Sequence, residues 1–217
     1  MKVSDASKRP LHRRLLSHFL TILIGYLLVL LLARIFESRL IFFPNFPDRL
    51  DGDWHPRDLN VEDVWLTTSD GVKLHAWWIP DDKPKFTFLV FHGNASNIAN
   101  RAPIYEFLRG MHANVFALEY RGYGHSKGKP SEAGVYRDAD AAYEYLVRTM
   151  GIDGKTIISF GQSFGTAVAT HLAAHRRVAG VVLEAPFPSV LESPAKFSGF
   201  SRALAFLYMG SSIPDPG

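Results

Sequence analysis

Hydrophobic and polar positions along the chain follow two main patterns, which predict one long apolar helix and a region of alternating strands and helices. Residues 15–33 contain no Asp, Glu, Lys or Arg. A helix of that length would be about 28 Å long, close to the hydrocarbon thickness of a bilayer. Residues 61–68 and 73–79 have strand character, and residues 69–71 between them, Ser-Asp-Gly, are typical of a hairpin turn.

Four short apolar runs follow, and they are typical of strands buried on both faces of a parallel sheet. The clearest helix lies over 132–150, where apolar residues recur at steps of three and four and Ser131 stands at the N-cap. Shorter helices are predicted over 98–109, with Pro103 delaying the start, and over 164–175. A hairpin followed by alternating strands and helices indicates an open, mostly parallel α/β sheet with flanking helices. The four runs are residues 86–91, 115–118, 156–160 and 178–183.

Residues 15–34 are interpreted as an uncleaved transmembrane anchor. A cleaved signal peptide and a buried helix of a soluble protein remain as alternatives, although the apolar run is long for a signal peptide and no small-residue cleavage motif follows it. Basic residues before the run predict a cytoplasmic N-terminus, with the remaining chain on the periplasmic, extracellular or lumenal side. Residues 40–44, Leu-Ile-Phe-Phe-Pro, are predicted either to rest at the membrane surface or to pack against the domain.

Charge separates a basic tail from a nearly neutral remainder. Residues 1–14 have a net charge of +4 in a chain of net charge +3, so the rest of the chain gives no case for nucleic-acid binding. The absence of cysteine excludes disulfides, thiol catalysis and thiolate metal sites. The predicted organisation is a basic cytoplasmic tail at 1–14, an anchor at 15–34, a juxtamembrane linker at 35–60 and a partial α/β domain at 61–217.

A Gly-x-Ser-x-Gly pentapeptide at 161–165 lies between a predicted strand and a predicted helix. This context suits a nucleophile elbow, because the glycines allow a sharp turn that leaves the hydroxyl of Ser163 exposed. Attack by that hydroxyl on a carbonyl creates an oxyanion, which requires preorganised donors. The backbone N–H of Phe164 and that of Asn94, in the loop after the strand at 86–91, are the candidate oxyanion-hole donors.

Four motifs in this order resemble those of α/β-hydrolase-fold serine hydrolases, and specifically the membrane-anchored "alpha/beta-hydrolase domain-containing" subgroup. With the anchor, the resemblance covers residues 15–190. It implies an α/β-hydrolase fold, hydrolysis of esters, thioesters or amides through an acyl-enzyme on Ser163, no cofactor, and support of the oxyanion loop by His92 and Gly93. The motifs are His92-Gly93-Asn94-Ala95, Glu119-Tyr120-Arg121-Gly122-Tyr123-Gly124-x-Ser126-x-Gly128, the pentapeptide at 161–165, and Glu184-Ala185-Pro186-Phe187.

The catalytic triad that this resemblance implies is incomplete in the sequence. In that fold the order is Ser, then Asp or Glu, then His, but the last of the nine histidines is His175. Glu184 is a weak alternative acid, and His92 and His125 are weak alternative bases. We therefore expect a serine hydrolase fold that is incomplete at its C-terminus, truncated before the triad acid and His. A lipid bilayer and a small-molecule or acylated substrate are its expected partners.

Three alternatives accompany this expectation. The first is a non-catalytic, membrane-anchored binding or scaffold protein that retains the fold. The second is a zinc site at His171 and His175, but Leu172 replaces the Glu of the H-E-x-x-H pattern and no third ligand is apparent, so no metal is predicted. The third is a dinucleotide loop at residues 122–128, whose glycine spacing does not fit that motif.

Overall fold

A computed structural model describes residues 11–186 of the chain. It divides the chain into two compact units, one containing the N-terminal helix as far as Glu37 and the other beginning at Ser38. The first residues of the basic tail, at 1–10, and everything after Pro186, including Phe187 of the fourth motif, lie outside the described residues.

The N-terminal helix, α1, spans Leu11–Ile41 and is longer than the predicted anchor. Its segment His12–Ala33 has a mean hydropathy of 2.4, and no part of that segment is buried within the protein. The segment is therefore long and apolar enough to cross a membrane, as the sequence predicted.

Within residues 11–186, six strands form one sheet in the order β1-β2-β4-β3-β5-β6. The pairs β1–β2 and β2–β4 are antiparallel, whereas β4–β3, β3–β5 and β5–β6 are parallel. The hairpin and the mostly parallel sheet that the sequence predicted are thus confirmed. The strands are β1 Glu62–Thr67, β2 Lys73–Ile79, β3 Phe86–Phe91, β4 Ala113–Leu118, β5 Ile157–Gln162 and β6 Gly180–Glu184.

Helices connect the parallel strands, and their ends follow the local sequence. A 3₁₀ turn, Ile98–Arg101, precedes α2, and Pro103 lies in the first turn of α2, where its missing N–H costs nothing. Ser131 caps α3 by accepting a hydrogen bond from the N–H of Gly134. The helices after α1 are α2 Ala102–Arg109, α3 Glu132–Glu144 with a π-helical turn at Tyr145–Thr149, and α4 Gly165–His175.

Side chains alternate along the central strands between two buried clusters, one on each face of the sheet. In β3, Leu89 and Phe91 belong to one cluster, which also contains residues of α3 and α4. Phe88 and Val90 belong to the other, which contains residues of α2. Apolar contacts on both faces explain why this strand is an unbroken hydrophobic run in the sequence.

The segment from residue 42 to residue 60 contains no helix or strand but is packed onto the domain. Phe42 and Leu59 are only 4% and 5% exposed. The Arg49 side chain donates to the carbonyl oxygen of Gly124 over 2.7 Å. Of the two placements predicted for residues 40–44, packing against the domain describes Phe42, whereas Phe43 remains exposed.

Candidate active site

Ser163 occupies the turn between the end of β5 and the start of α4. Its φ angle is 51°, in the left-handed region that a residue with a Cβ rarely adopts. The N–H of Ser163 donates to the carbonyl oxygen of Glu184 over 2.8 Å, so the end of β6 holds the turn. Its Oγ has no hydrogen-bond partner among the described residues.

The two glycines of the pentapeptide are required by close packing. A Cβ on Gly161 would overlap the carbonyl oxygen of Gly165, and a Cβ on Gly165 would overlap the carbonyl oxygen of Phe91. Neither glycine has a positive φ angle, since the left-handed residue of the turn is Ser163 itself. The sequence correctly indicated that glycine is needed at both positions. Glycine is needed because α4 lies close to β3 and β5, and not because either residue has a positive φ angle.

The loop after β3 lies beside this turn. A Cβ built on Gly93 would lie 3.7 Å from the Cβ of Ser163. The Asn94 side-chain amide donates to the carbonyl oxygen of Ile41 over 3.0 Å. The Asn94 carbonyl oxygen accepts from the Phe43 N–H at 2.9 Å and from the Tyr123 hydroxyl at 2.7 Å. Burial raises the pKa of Tyr123, which keeps its hydroxyl protonated as a donor.

The backbone N–H groups of Asn94 and Phe164 donate no hydrogen bond to any other residue in the described part of the chain. Phe164 is the N-cap residue of α4, so its N–H lies at the positive end of that helix. Two unused donors therefore flank the Ser163 turn, one from each of the loops that the sequence indicated.

His92 is the first residue of this loop and is buried. Its Nδ1 is 2.7 Å from the carbonyl oxygen of Gly93, and its Nε2 is 3.0 Å from Oε1 of Glu119. The Tyr120 hydroxyl donates to the carbonyl oxygen of His92 over 3.0 Å. One ring nitrogen of His92 faces the Gly93 carbonyl oxygen and the other faces the Glu119 carboxylate, so neither is directed to Ser163.

Glu119 is a buried residue to which the sequence assigned no role. Its other oxygen, Oε2, accepts from the N–H of Ile98 over 3.2 Å, at the start of the 3₁₀ turn. A Cβ on Gly124 would overlap the same carboxylate, so this glycine makes room for it. A Glu directly after the end of β4 and before Tyr-Arg-Gly was the available signal, because an acid there has to be paired when the strand end is buried.

The weak alternatives for acid and base have other contacts. The Glu184 carboxylate accepts from the Gln162 side chain over 3.2 Å. The His125 ring lies 4.3 Å from the Trp54 ring and 5.3 Å from the His75 ring, centroid to centroid. Among the described residues, neither His125 nor Glu184 makes a side-chain contact with Ser163.

The rings of the two helical histidines lie close to each other, and His171 also contacts a tyrosine. His171 stacks on Tyr136 with 3.9 Å between ring centroids, and it lies 4.3 Å from His175. Within residues 11–186 there is no group of three or more His, Cys, Asp or Glu side chains that could hold a metal ion.

Comparison with known families and proteins gives consistent matches. A family model described as alpha/beta hydrolase fold matches residues 87–209. The chain is 40% identical over 167 residues to the alpha/beta hydrolase domain-containing protein WAV2 of Arabidopsis thaliana, covering 72% of this chain and 54% of that protein. It is 39% identical over 145 residues to protein bem46 of Schizosaccharomyces pombe, covering 62% of this chain and 48% of that protein. The chain thus spans about half the length of the curated relatives it matches.

Solved structures agree with these matches. An esterase of Pyrococcus furiosus superposes with a TM-score of 0.59 at 28% identity, covering 77% of this chain and 68% of that one. An alpha-beta hydrolase of Vibrio vulnificus also gives a TM-score of 0.59, at 29% identity, covering 69% of this chain and 56% of that one. The fold and the family resemblance predicted from the sequence are confirmed.

Proposed function

The chain belongs to the α/β-hydrolase fold family, and we propose that it is a serine hydrolase that cleaves ester, thioester or amide bonds through an acyl-enzyme on Ser163. The observation that carries the proposal is the strained turn at Ser163, with φ of 51° and a hydroxyl free of hydrogen bonds within the described residues. Strain of this kind is found at reactive positions that the surrounding structure holds in place.

In the proposed reaction, Oγ of Ser163 attacks the carbonyl carbon of the substrate and loses its proton to a base. The carbonyl oxygen becomes an oxyanion, which accepts hydrogen bonds from the N–H groups of Asn94 and Phe164. Collapse of this intermediate breaks the bond to the alcohol, thiol or amine, which leaves with a proton. Water then attacks the acyl-enzyme in the same way and releases the acid.

This mechanism requires a general base, because a serine hydroxyl is a weak nucleophile at its ordinary pKa. No described histidine contacts Ser163, and the histidine nearest the end of the sequence is His175. The chain spans about half the length of its relatives. We propose that the acid and the base are supplied by sequence corresponding to the other half, so that the 217 residues alone would react slowly.

A fluorophosphonate probe, which phosphorylates activated serines, tests this assignment. We expect labelling of the purified chain in detergent to disappear in Ser163→Ala and to persist in Ser69→Ala, which changes an exposed turn serine. We expect faster labelling in a version extended with the sequence that matches the relatives' second half. Failure of both versions to label at Ser163 would refute a serine hydrolase.

The alternative function is a membrane-anchored binding or scaffold protein that retains the fold without catalysis. The observation favouring it is that, in residues 11–186, no acid or histidine side chain contacts the Ser163 side chain. The same experiment distinguishes the two functions, because a scaffold would remain unlabelled in the extended version.

We also propose that α1 anchors the protein with its N-terminus in the cytoplasm and the hydrolase domain on the other side, where it meets a small-molecule or acylated substrate. Support comes from the apolar segment His12–Ala33 and the basic residues before it. The chain has no cysteine, so the single-cysteine variants Ser4→Cys and Ser69→Cys report each side cleanly. An impermeant maleimide should label only Ser69→Cys in intact cells, and labelling of Ser4→Cys alone would reverse the orientation. Loss of an N-terminal tag would indicate a cleaved signal peptide.

A further inference from the structure

Residues 41–46, which we call the strap, connect the last residue of α1 to the loop that carries Asn94. Three hydrogen bonds join them. The Asn94 side-chain amide donates to the carbonyl oxygen of Ile41 at 3.0 Å, and the Phe43 N–H donates to the carbonyl oxygen of Asn94 at 2.9 Å. The Ser96 N–H donates to the carbonyl oxygen of Phe46 at 2.9 Å. The strap therefore runs along the loop and is bonded to it at both ends.

The strap also contacts the second oxyanion donor residue. The ring of Phe42, which is 4% exposed, meets the ring of Phe164 edge to face, with 5.2 Å between centroids. Such an arrangement is attractive beyond simple burial and restricts the orientation of both rings. One short segment thus touches Phe164 through a side chain and Asn94 through the backbone.

Two polar groups of Asn94, its backbone N–H and its side-chain Oδ1, make no hydrogen bond among the described residues. Its side-chain amide donates to the strap, and its carbonyl oxygen accepts from the strap and from Tyr123. Among the described residues, only its backbone N–H donor is left without an acceptor. Asn94 is bonded at its side chain and at its carbonyl oxygen, so the strap and Tyr123 together restrict the orientation of the residue that carries this N–H.

We propose that the strap positions both oxyanion donors and that Phe42 is a positioning residue for catalysis at Ser163. Oxyanion stabilisation depends on donors held at the position where charge develops, and small displacements are costly. Since Ile41 is the last residue of α1, the catalytic competence of the site depends on how the apolar helix ends. This inference rests on the proposed function, and its test separates the two.

The test compares Phe42→Ala with matched variants of the full chain in detergent. Leu59→Ala removes an equally buried side chain from the cluster on the other face of the sheet. Leu50→Ala removes an exposed side chain that lies outside the strap. Phe42→Leu restores apolar volume. The readouts are the rate of fluorophosphonate labelling, the thermal midpoint, and hydrogen–deuterium exchange of residues 92–97.

We expect Phe42→Ala to slow labelling by about tenfold or more, since loss of a single oxyanion donor costs about a hundredfold. Phe42→Leu should recover much of the rate. Leu59→Ala should lower the thermal midpoint by a similar amount to Phe42→Ala, while Leu59→Ala and Leu50→Ala keep labelling within about twofold of the wild-type rate. Exchange of the Ser96 amide should be faster in Phe42→Ala alone, because that amide is bonded to the strap.

Labelling of Phe42→Ala at the wild-type rate, or equal slowing in Leu59→Ala, would overturn the positioning role. Should the wild-type chain and its extended version both fail to label, the proposed function fails. Hydrogen exchange then remains as the test of whether Phe42 keeps the strap bonded to the Asn94 loop. Unchanged exchange at Ser96 in Phe42→Ala would then overturn the strap as well.

Discussion

The imidazole of His92 and the carboxylate of Glu119 lie 3.0 Å apart, directly after the ends of β3 and β4, with their side chains only 1% and 0% exposed. The two atoms lie within ion-pair distance, but the pair does not form a hydrogen bond. A carboxylate without solvent is costly unless it is paired, so Glu119 is expected to depend on His92 and on the N–H of Ile98.

Removing this carboxylate should destabilise the domain. Glu119→Ala leaves His92 and the Ile98 N–H buried without their partner, and we expect it to cost about 3 kcal/mol of unfolding free energy. Glu119→Gln retains an acceptor and should cost less. Denaturant titration measures both, with the exposed Glu106→Ala as the control, which should stay within about 0.5 kcal/mol. Equal losses at Glu119 and Glu106 would show that the buried pair contributes nothing.

Alanine at either glycine of the elbow should disrupt the close packing of α4. Gly161→Ala and Gly165→Ala each place a methyl group into a backbone carbonyl oxygen, and we expect each to cost more than about 2 kcal/mol. Both should also slow fluorophosphonate labelling of Ser163. The matched control is Gly180→Ala in β6, where an added Cβ meets nothing within 4 Å. If Gly180→Ala proved as damaging as the other two, steric overlap would not be the cause.

Arg121 should be intolerant of replacement by lysine. Its guanidinium donates to both oxygens of Asp70 at 2.8 and 2.9 Å, and its Nε donates to Asp138 at 2.8 Å. A lysine cannot serve both carboxylates, so Arg121→Lys leaves the buried Asp138 poorly paired and should cost about 3 kcal/mol.

Arg137 is the internal control for this prediction. It also approaches Asp70, at 3.5 Å, but its side chain is 49% exposed. Arg137→Lys should change the unfolding free energy by less than about 1 kcal/mol. Chemical denaturation of both variants tests the contrast, and a similar small effect at Arg121 would contradict it.

Stability should fall as the pH drops below neutrality, partly because of His125. Burial, and then the neighbouring His75, lower the pKa of His125 from its ordinary value of 6.5. The unfolded chain then binds more protons than the folded one between pH 6.5 and the lower folded pKa. The stability that His125 contributes to the folded state is therefore fully present above pH 6.5. It is lost as the pH falls from 6.5 through the lower pKa of the folded protein.

Thermal midpoints between pH 7.5 and 5 measure this dependence. His125→Gln should flatten the slope, whereas His55→Gln, at an exposed histidine without a ring contact to His75, should leave it unchanged. An identical slope in wild type and His125→Gln would assign the dependence to other groups.

Strand positions were predictable where apolar runs meet turn residues. The limits of β2 and β3 coincide with those expected, because their hydrophobic residues are bounded by polar or turn-forming sequence. The start of β4 was placed two residues late, since Ala113 and Asn114 give little signal of their own. The helix expected over 132–150 leaves α-helical geometry after Glu144, because steps of three and four do not distinguish α- from π-helical turns.

The candidate site was predictable only in part. Ser163, Asn94 and Phe164 follow from local motifs, and their roles as nucleophile and oxyanion donors remain predictions. The contact of Glu119 with His92 joins the ends of two different strands, so no local pattern contains it. The same holds for the strap, whose residues precede Asn94 by about fifty positions.

The sequence by itself determined the alternation of strands and helices, the buried strands and the elbow, because hydrophobic periodicity and glycine spacing reflect conformation over a few residues. Tertiary structure alone decided the strand order, the left-handed conformation of Ser163, and the bonding of residues 41–46 to the Asn94 loop. These features depend on which distant segments meet, and that is set by the packing of the whole sheet. Phe42 is recognisable in the sequence only as an apolar residue, and the packed domain shows that its ring contacts the ring of Phe164.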